Sequence, residues 1–252
     1  MLYATLTFWL LVIVFSAWGV HSLWSRMVKP RVVNTVLLPG TLVAQLGHVL
    51  GLLVTGNSVQ NTSLMGEEED GSPQSETPET PKVPIVSPIL IALLPLAACS
   101  ACLYAAARFW GGPVVGTLDG SASAALPQAL PTTLPAMWEL LRTSVTIVES
   151  TLNAVLRADL TQWQTLLFLY LAICLTVRMT PFEGSRRGAI GAIVLSGLTV
   201  GILASMLAPV GEFVQRTWPI VSFATATLLF LLLLSLVVTG VVGFVKVMVK
   251  NP

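Results

Sequence analysis

Charge is what this sequence has least of. Asp, Glu, Lys and Arg make up 10% of its 252 residues, against roughly a quarter in soluble domains. The 13 basic and 12 acidic residues almost cancel, for a net charge of +1. A nucleic-acid partner therefore has no electrostatic support. Cysteine is scarce as well. Cys99, Cys102 and Cys174 all sit in apolar runs, which suits packed thiols better than a metal or redox site. Cys99 and Cys102 form a C-x-x-C, but no second Cys or His pair accompanies them. The first residues carry no basic cluster and no small-x-small cleavage site, so the opening apolar run is expected to be a retained helix rather than a signal peptide. Tyr3, Trp18 and Trp24 are expected to anchor it near the membrane interfaces. No P-loop, nucleophile elbow or dinucleotide fingerprint is present.

Apolar residues are abundant, at 54%. They gather in six runs, residues 2–23, 36–55, 85–107, 163–177, 189–208 and 220–249. Several approach or exceed the ~20 residues that a helix needs to cross a bilayer. The expected architecture is all-α: one integral membrane domain over 1–252, a helical bundle of about six spans, seven if a further helix crosses. Pro95 falls inside the third run and should kink it. Gly197 and Gly201 in the fifth run form a small-xxx-small pattern, a candidate helix contact.

Two segments do not suit lipid. Residues 66–82 hold six of the twelve acidic residues and three prolines. Such a stretch buries too little to offset its ordering entropy, so a flexible acidic loop is expected. Residues 134–160 have the period of an amphipathic helix. Trp138, Leu141, Val145, Val148, Leu152 and Val155 recur at steps of three and four, with Glu139, Arg142, Glu149 and Arg157 elsewhere on the wheel. This helix is expected to lie on lipid, to dock on a partner subunit, or to re-enter the membrane. The stretch before it, 116–135, is rich in Gly, Ser and Pro and reads as loop. Basic clusters at Arg26, Lys29, Arg31 and at Arg178, Arg186, Arg187 fall on opposite sides of a six-span bundle. They leave its orientation open.

One stretch carries a family resemblance. LLPGTLVAQLGHVLGLLVTG, residues 37–56, resembles the motif helix of site-2-protease-like intramembrane zinc metalloproteases. In that family a Pro-Gly precedes H-E-x-x-H, and a Gly-rich apolar continuation follows. Two histidines at i and i+4 share a zinc ion while the glutamate acts as general base. Here Ala44 stands at the first histidine, Gln45 at the glutamate and His48 at the second histidine. Residues 167–193 look like the segment that bears the third ligand. Pro181 matches its proline, Phe182 replaces a serine, Ser185 stands at the aspartate, and Glu183 lies two positions out of register. Residues 88–111 are similar to the Pro-containing helix that follows the motif.

The resemblance implies a lost active site. Ala44 cannot ligate a metal, Gln45 is no base, and Ser185 is a poor zinc ligand. The expectation is a pseudoprotease: no cofactor, a lipid bilayer and other membrane subunits as partners, and a scaffold or accessory role. A bacterial inner membrane suits the family. Two alternatives stay open. One is a protease with altered ligands built on Glu183, His48 and a third group. The other is a small transporter or channel component, with Arg142 and Glu149 as its intramembrane charges. His48 itself reads as a neutral, hydrogen-bonded residue, a residual metal ligand, or an axial ligand to a partner's cofactor.

Overall fold

The computed structural model describes residues 2–56, 86–119, 126–127, 129–179 and 208–250. The regular structure among them is entirely helical, as the composition implies. Eight helices are described. They are α1 (Leu2–Met27), α2 (Pro30–Val36), α3 (Leu38–Val54), α4 (Val86–Phe109), α5 (Gly112–Asp119), α6 (Leu134–Arg157), α7 (Trp163–Val177) and α8 (Ala208–Lys250). The 66–82 segment, Pro181, Phe182, Glu183, Ser185 and the expected run 189–208 up to residue 207, with Gly197 and Gly201, lie outside the described residues.

Two helices are long and apolar enough to cross a membrane, Tyr3–Ser25 in α1 and Trp218–Val242 in α8. Three shorter apolar helices join them, Leu38–Val54, Leu93–Phe109 and Trp163–Val177. α8 is longer than its apolar run. At 43 residues it extends about 65 Å at the α-helical rise. Its first turns, with Glu212 and Arg216 exposed and 3.8 Å apart, run ahead of the apolar core. Pro95 sits inside α4 and Pro219 inside α8.

Side-chain pairings fix the helix directions. Gly19 meets Leu232, the Trp24 indole N–H donates to Ser235 Oγ at 2.7 Å, and Thr239 Oγ1 lies 3.2 Å from Met27 Sδ. The partners advance together, so α1 and α8 run in the same direction. Gly47 faces Leu94 and Pro95, whereas Gly51 faces Leu90 and Ile91, so α3 and α4 run antiparallel. Tyr170 and Cys174 reach Val36, and the backbone at Cys174 with Arg178 reaches Gly40. α7 therefore runs with α2 and α3, and against α4.

α2 and α3 are nearly one helix. The ladder continues through the junction, from Leu37 N–H to Val33 O and from Thr41 N–H to Leu37 O. Pro39 has no N–H to give, and the chain turns at Leu37. The Val36 carbonyl accepts from the Tyr170 hydroxyl at 2.8 Å and from the Cys174 thiol at 3.5 Å, as a helix end requires. The core lies between these helices, with Ile13, Ala17, Leu37, Leu103, Phe168 and Phe223 buried in it. A second cluster holds Trp9, Leu126, Ile147 and Trp218. There the indoles of Trp9 and Trp218 donate to the carbonyls of Pro127 and Leu126.

One expectation needs correction. Residues 112–119 form α5, so the first part of the stretch read as loop is helical. Its Pro113 stands near the start of the helix, where a missing N–H is harmless. The half-buried Trp24 indole is hydrogen-bonded to Ser235 of α8. α6 keeps its strongest apolar stripe off the rest of the protein. Leu140, Ile147, Thr151, Ala154 and Ala158 face the rest of the protein, while Trp138, Leu141, Val145 and Leu152 point out.

Candidate functional site

The motif-like stretch folds into α3, as its apolar content predicts. One face is buried: Gly40, Thr41, Ala44, Gln45, Gly47, His48, Gly51 and Leu52. Leu46, Leu50, Leu53 and Val54 lie on the other face and are exposed. The i, i+3, i+4 and i+7 spacing from Thr41 to His48 places them in one stripe. Ala44, Gln45 and His48 are 1%, 5% and 2% exposed. The three positions that the protease motif would use for metal and base thus share one inward face.

Beside that stripe, α3 meets the backbone of α4. A Cβ added at Gly47 would lie 2.7 Å from Leu94 O and 2.7 Å from Pro95 Cα. One added at Gly51 would lie 2.9 Å from Ile91 Cα. Gly47 and Gly51 form a small-xxx-small pair, which flanks His48 and draws α4 against the motif turn. The pair is readable in the sequence. It lies inside the same stretch that resembles a metal motif. Among the described residues, no three His, Cys, Asp or Glu side chains gather where they could hold a metal ion.

A second polar cluster lies at the α2–α3 junction, and sequence reasoning missed it. Arg178 caps α7, with its N–H donating to Cys174 O at 3.2 Å. Its side chain is only 6% exposed. The guanidinium donates from Nη2 to the Asn34 side-chain carbonyl on α2. Its Nε is buried without an acceptor. The Cys99 thiol of α4 points at the Arg178 carbonyl, 4.0 Å away. No carboxylate pairs with Arg178 among the described residues. A basic residue after an apolar run reads as interfacial, and nothing local in the sequence signals that this one turns inward.

The amphipathic helix α6 is the third candidate. Thr133 caps it, its hydroxyl accepting from Ala136 N–H at 3.3 Å, and Pro135 stands in the first turn. The helix has two seams. The inward one runs Leu140, Ser144, Ile147, Thr151, Ala154, Ala158 at alternating steps of four and three. The outward one runs Trp138, Leu141, Val145, Val148, Leu152, Val155, with Trp138, Leu141, Val145 and Leu152 exposed and the two other valines half-buried. Glu139, Arg142, Glu149 and Arg157 are exposed beside it. Asp159 closes the turn into α7. Its carboxylate accepts from the Thr161 hydroxyl at 2.6 Å, from Thr161 N–H at 3.0 Å and from the Gln162 amide at 3.1 Å. These hydrogen bonds hold its pKa below the ordinary carboxylate range. Comparison of the chain with models of known families, with curated proteins and with solved structures finds no match.

Proposed function

We propose that this chain is a non-catalytic helical membrane protein, a scaffold or accessory subunit built on a degenerate site-2-protease-like plan. One observation carries the reading. Ala44, Gln45 and His48 are buried on α3 beside Gly47 and Gly51, the two positions where α3 packs against the α4 backbone. A catalytic zinc needs three protein ligands and an open position for water. On this face one imidazole remains, and the neighbouring surface serves close helix packing. A small residue at 44 suits that packing, whereas a second imidazole there would be overpacked.

The helix directions bear on topology. α4 and α7 run antiparallel, so as successive crossings they leave the chain between them, which includes α6, starting and ending on the same side. The bilayer of a bacterial inner membrane suits this plan, with other membrane subunits as partners of the outward surfaces.

Zinc content tests the reading. The protein, purified in mild detergent, should carry zinc only at background, and a His48→Ala variant should be no different. Near-stoichiometric zinc that disappears in the variant would overturn the reading in favour of a metalloprotease with altered ligands.

A further inference from the structure

The outward seam of α6 repeats strictly every three and four residues: Trp138, Leu141, Val145, Val148, Leu152, Val155. That is the a and d pattern of a coiled coil, carried over more than two heptads. From Trp138 to Leu152 the seam stands apart from the inward one, while Val155 also packs against the chain's own core, so α6 can hold its own bundle and a second helix at once. Arg142 and Glu149 stand at successive e positions beside this seam. Both are exposed, and neither makes an ion pair among the described residues. They are one heptad apart, about 10 Å along the axis at the helical rise, too far to pair within α6.

We propose that α6 docks on α6 of a second copy of this chain, antiparallel, about a twofold axis near Thr146 and Ile147. In antiparallel pairs the a residues of one helix lie level with the d residues of the other. This register sets Val145 opposite the partner's Val148, Leu141 opposite the partner's Leu152, and Trp138 opposite the partner's Val155. The same register brings e positions together across the seam. Arg142 then meets the partner's Glu149, and the twofold axis makes the reciprocal pair. A parallel pair would place Glu149 against Ser144 and Arg142 against Met137, with no complementary charge. The pattern is thus self-complementary in one orientation, which points to an identical partner rather than to lipid or an unrelated subunit. Two copies inserted the same way share a twofold axis along the membrane normal. The pair therefore lays α6 along the membrane plane, in keeping with a segment that begins and ends on one side. This rests on the membrane reading above and is independent of the fate of the metal site.

Charge reversal tests the proposal, because in a homodimer both halves of each ion pair come from one gene. The full-length protein would be reconstituted with two differently tagged copies. The dimer would be read by co-purification and by light scattering in mild detergent. Wild type should be dimeric. Arg142→Glu and Glu149→Arg should each weaken the dimer by roughly tenfold or more, since like charges then face each other twice. The double variant R142E/E149R should restore it. A wild-type monomer, or a double variant as impaired as the single ones, would overturn the proposal. A different protein or lipid on this face gives no rescue. The circular dichroism of each variant, expected to match wild type, separates lost pairing from lost folding. Zinc content plays no part in the readout, so this proposal and the pseudoprotease reading fail separately.

Discussion

Gly47 of α3 and Pro95 of α4 are in backbone contact: a methyl group at Gly47 would stand 2.7 Å from the Pro95 Cα and 2.8 Å from its nitrogen. Neither atom can swing aside as a side-chain tip would. Gly47→Ala should therefore part the two helices and cost about 1–3 kcal/mol, the range for overpacking. Thermal unfolding in detergent measures it. Gly240, with nothing within 4 Å of an added Cβ, supplies the control, and Gly240→Ala should leave the transition nearly unchanged.

Arg178 and Asn34 give an asymmetric prediction. Asn34→Ala removes the side-chain carbonyl that accepts from the buried guanidinium. Leaving that charge with poorer solvation should destabilise the protein by about 2–4 kcal/mol. Arg178→Met removes charge and desolvation penalty together and keeps much of the volume. It should be close to neutral or stabilising. Comparing the two melting temperatures checks the pair. A large loss in Arg178→Met would show that the cation itself holds the junction.

Trp24 and Ser235 join α1 to α8. Ser235→Ala leaves the indole N–H without this acceptor, for a loss of about 1–3 kcal/mol. Trp24→Phe in the same background removes the stranded donor. The double variant should then lose less than the sum of the single losses, and a double-mutant cycle reads the difference.

The turn at Asp159 should respond to acid. Its folded pKa is depressed by the hydrogen bonds from Thr161 and Gln162. The contribution to the turn is present above the unfolded carboxylate pKa and is lost as pH falls through the lower folded value. Hydrogen exchange across residues 159–163 should lose protection in that window beyond the change in an Asp159→Asn variant, which has no carboxylate to titrate.

Local signals were enough for several elements. The predicted run 163–177 coincides with α7, Trp163–Val177. The amphipathic period places α6, Leu134–Arg157, within a few residues of the expected helix. Both rest on hydrophobic patterning, which is a property of consecutive residues. α5 escaped notice because its eight residues sit amid Gly and Pro, where packing rather than propensity sets the outcome.

By itself the sequence determined the helical class, the apolar character of the long segments, and the side chains at Ala44 and Gln45, a methyl group and a neutral amide. It determined these because composition and side-chain type act before any folding. Only the tertiary structure decided that Gly47 and Gly51 meet the α4 backbone, that Arg178 turns inward to Asn34, and that α6 shows its strongest apolar seam to the outside. Each of those depends on residues far apart in the chain, as Gly47 is from Pro95. A periodicity gives a helix its stripes but cannot say which stripe its own bundle will cover.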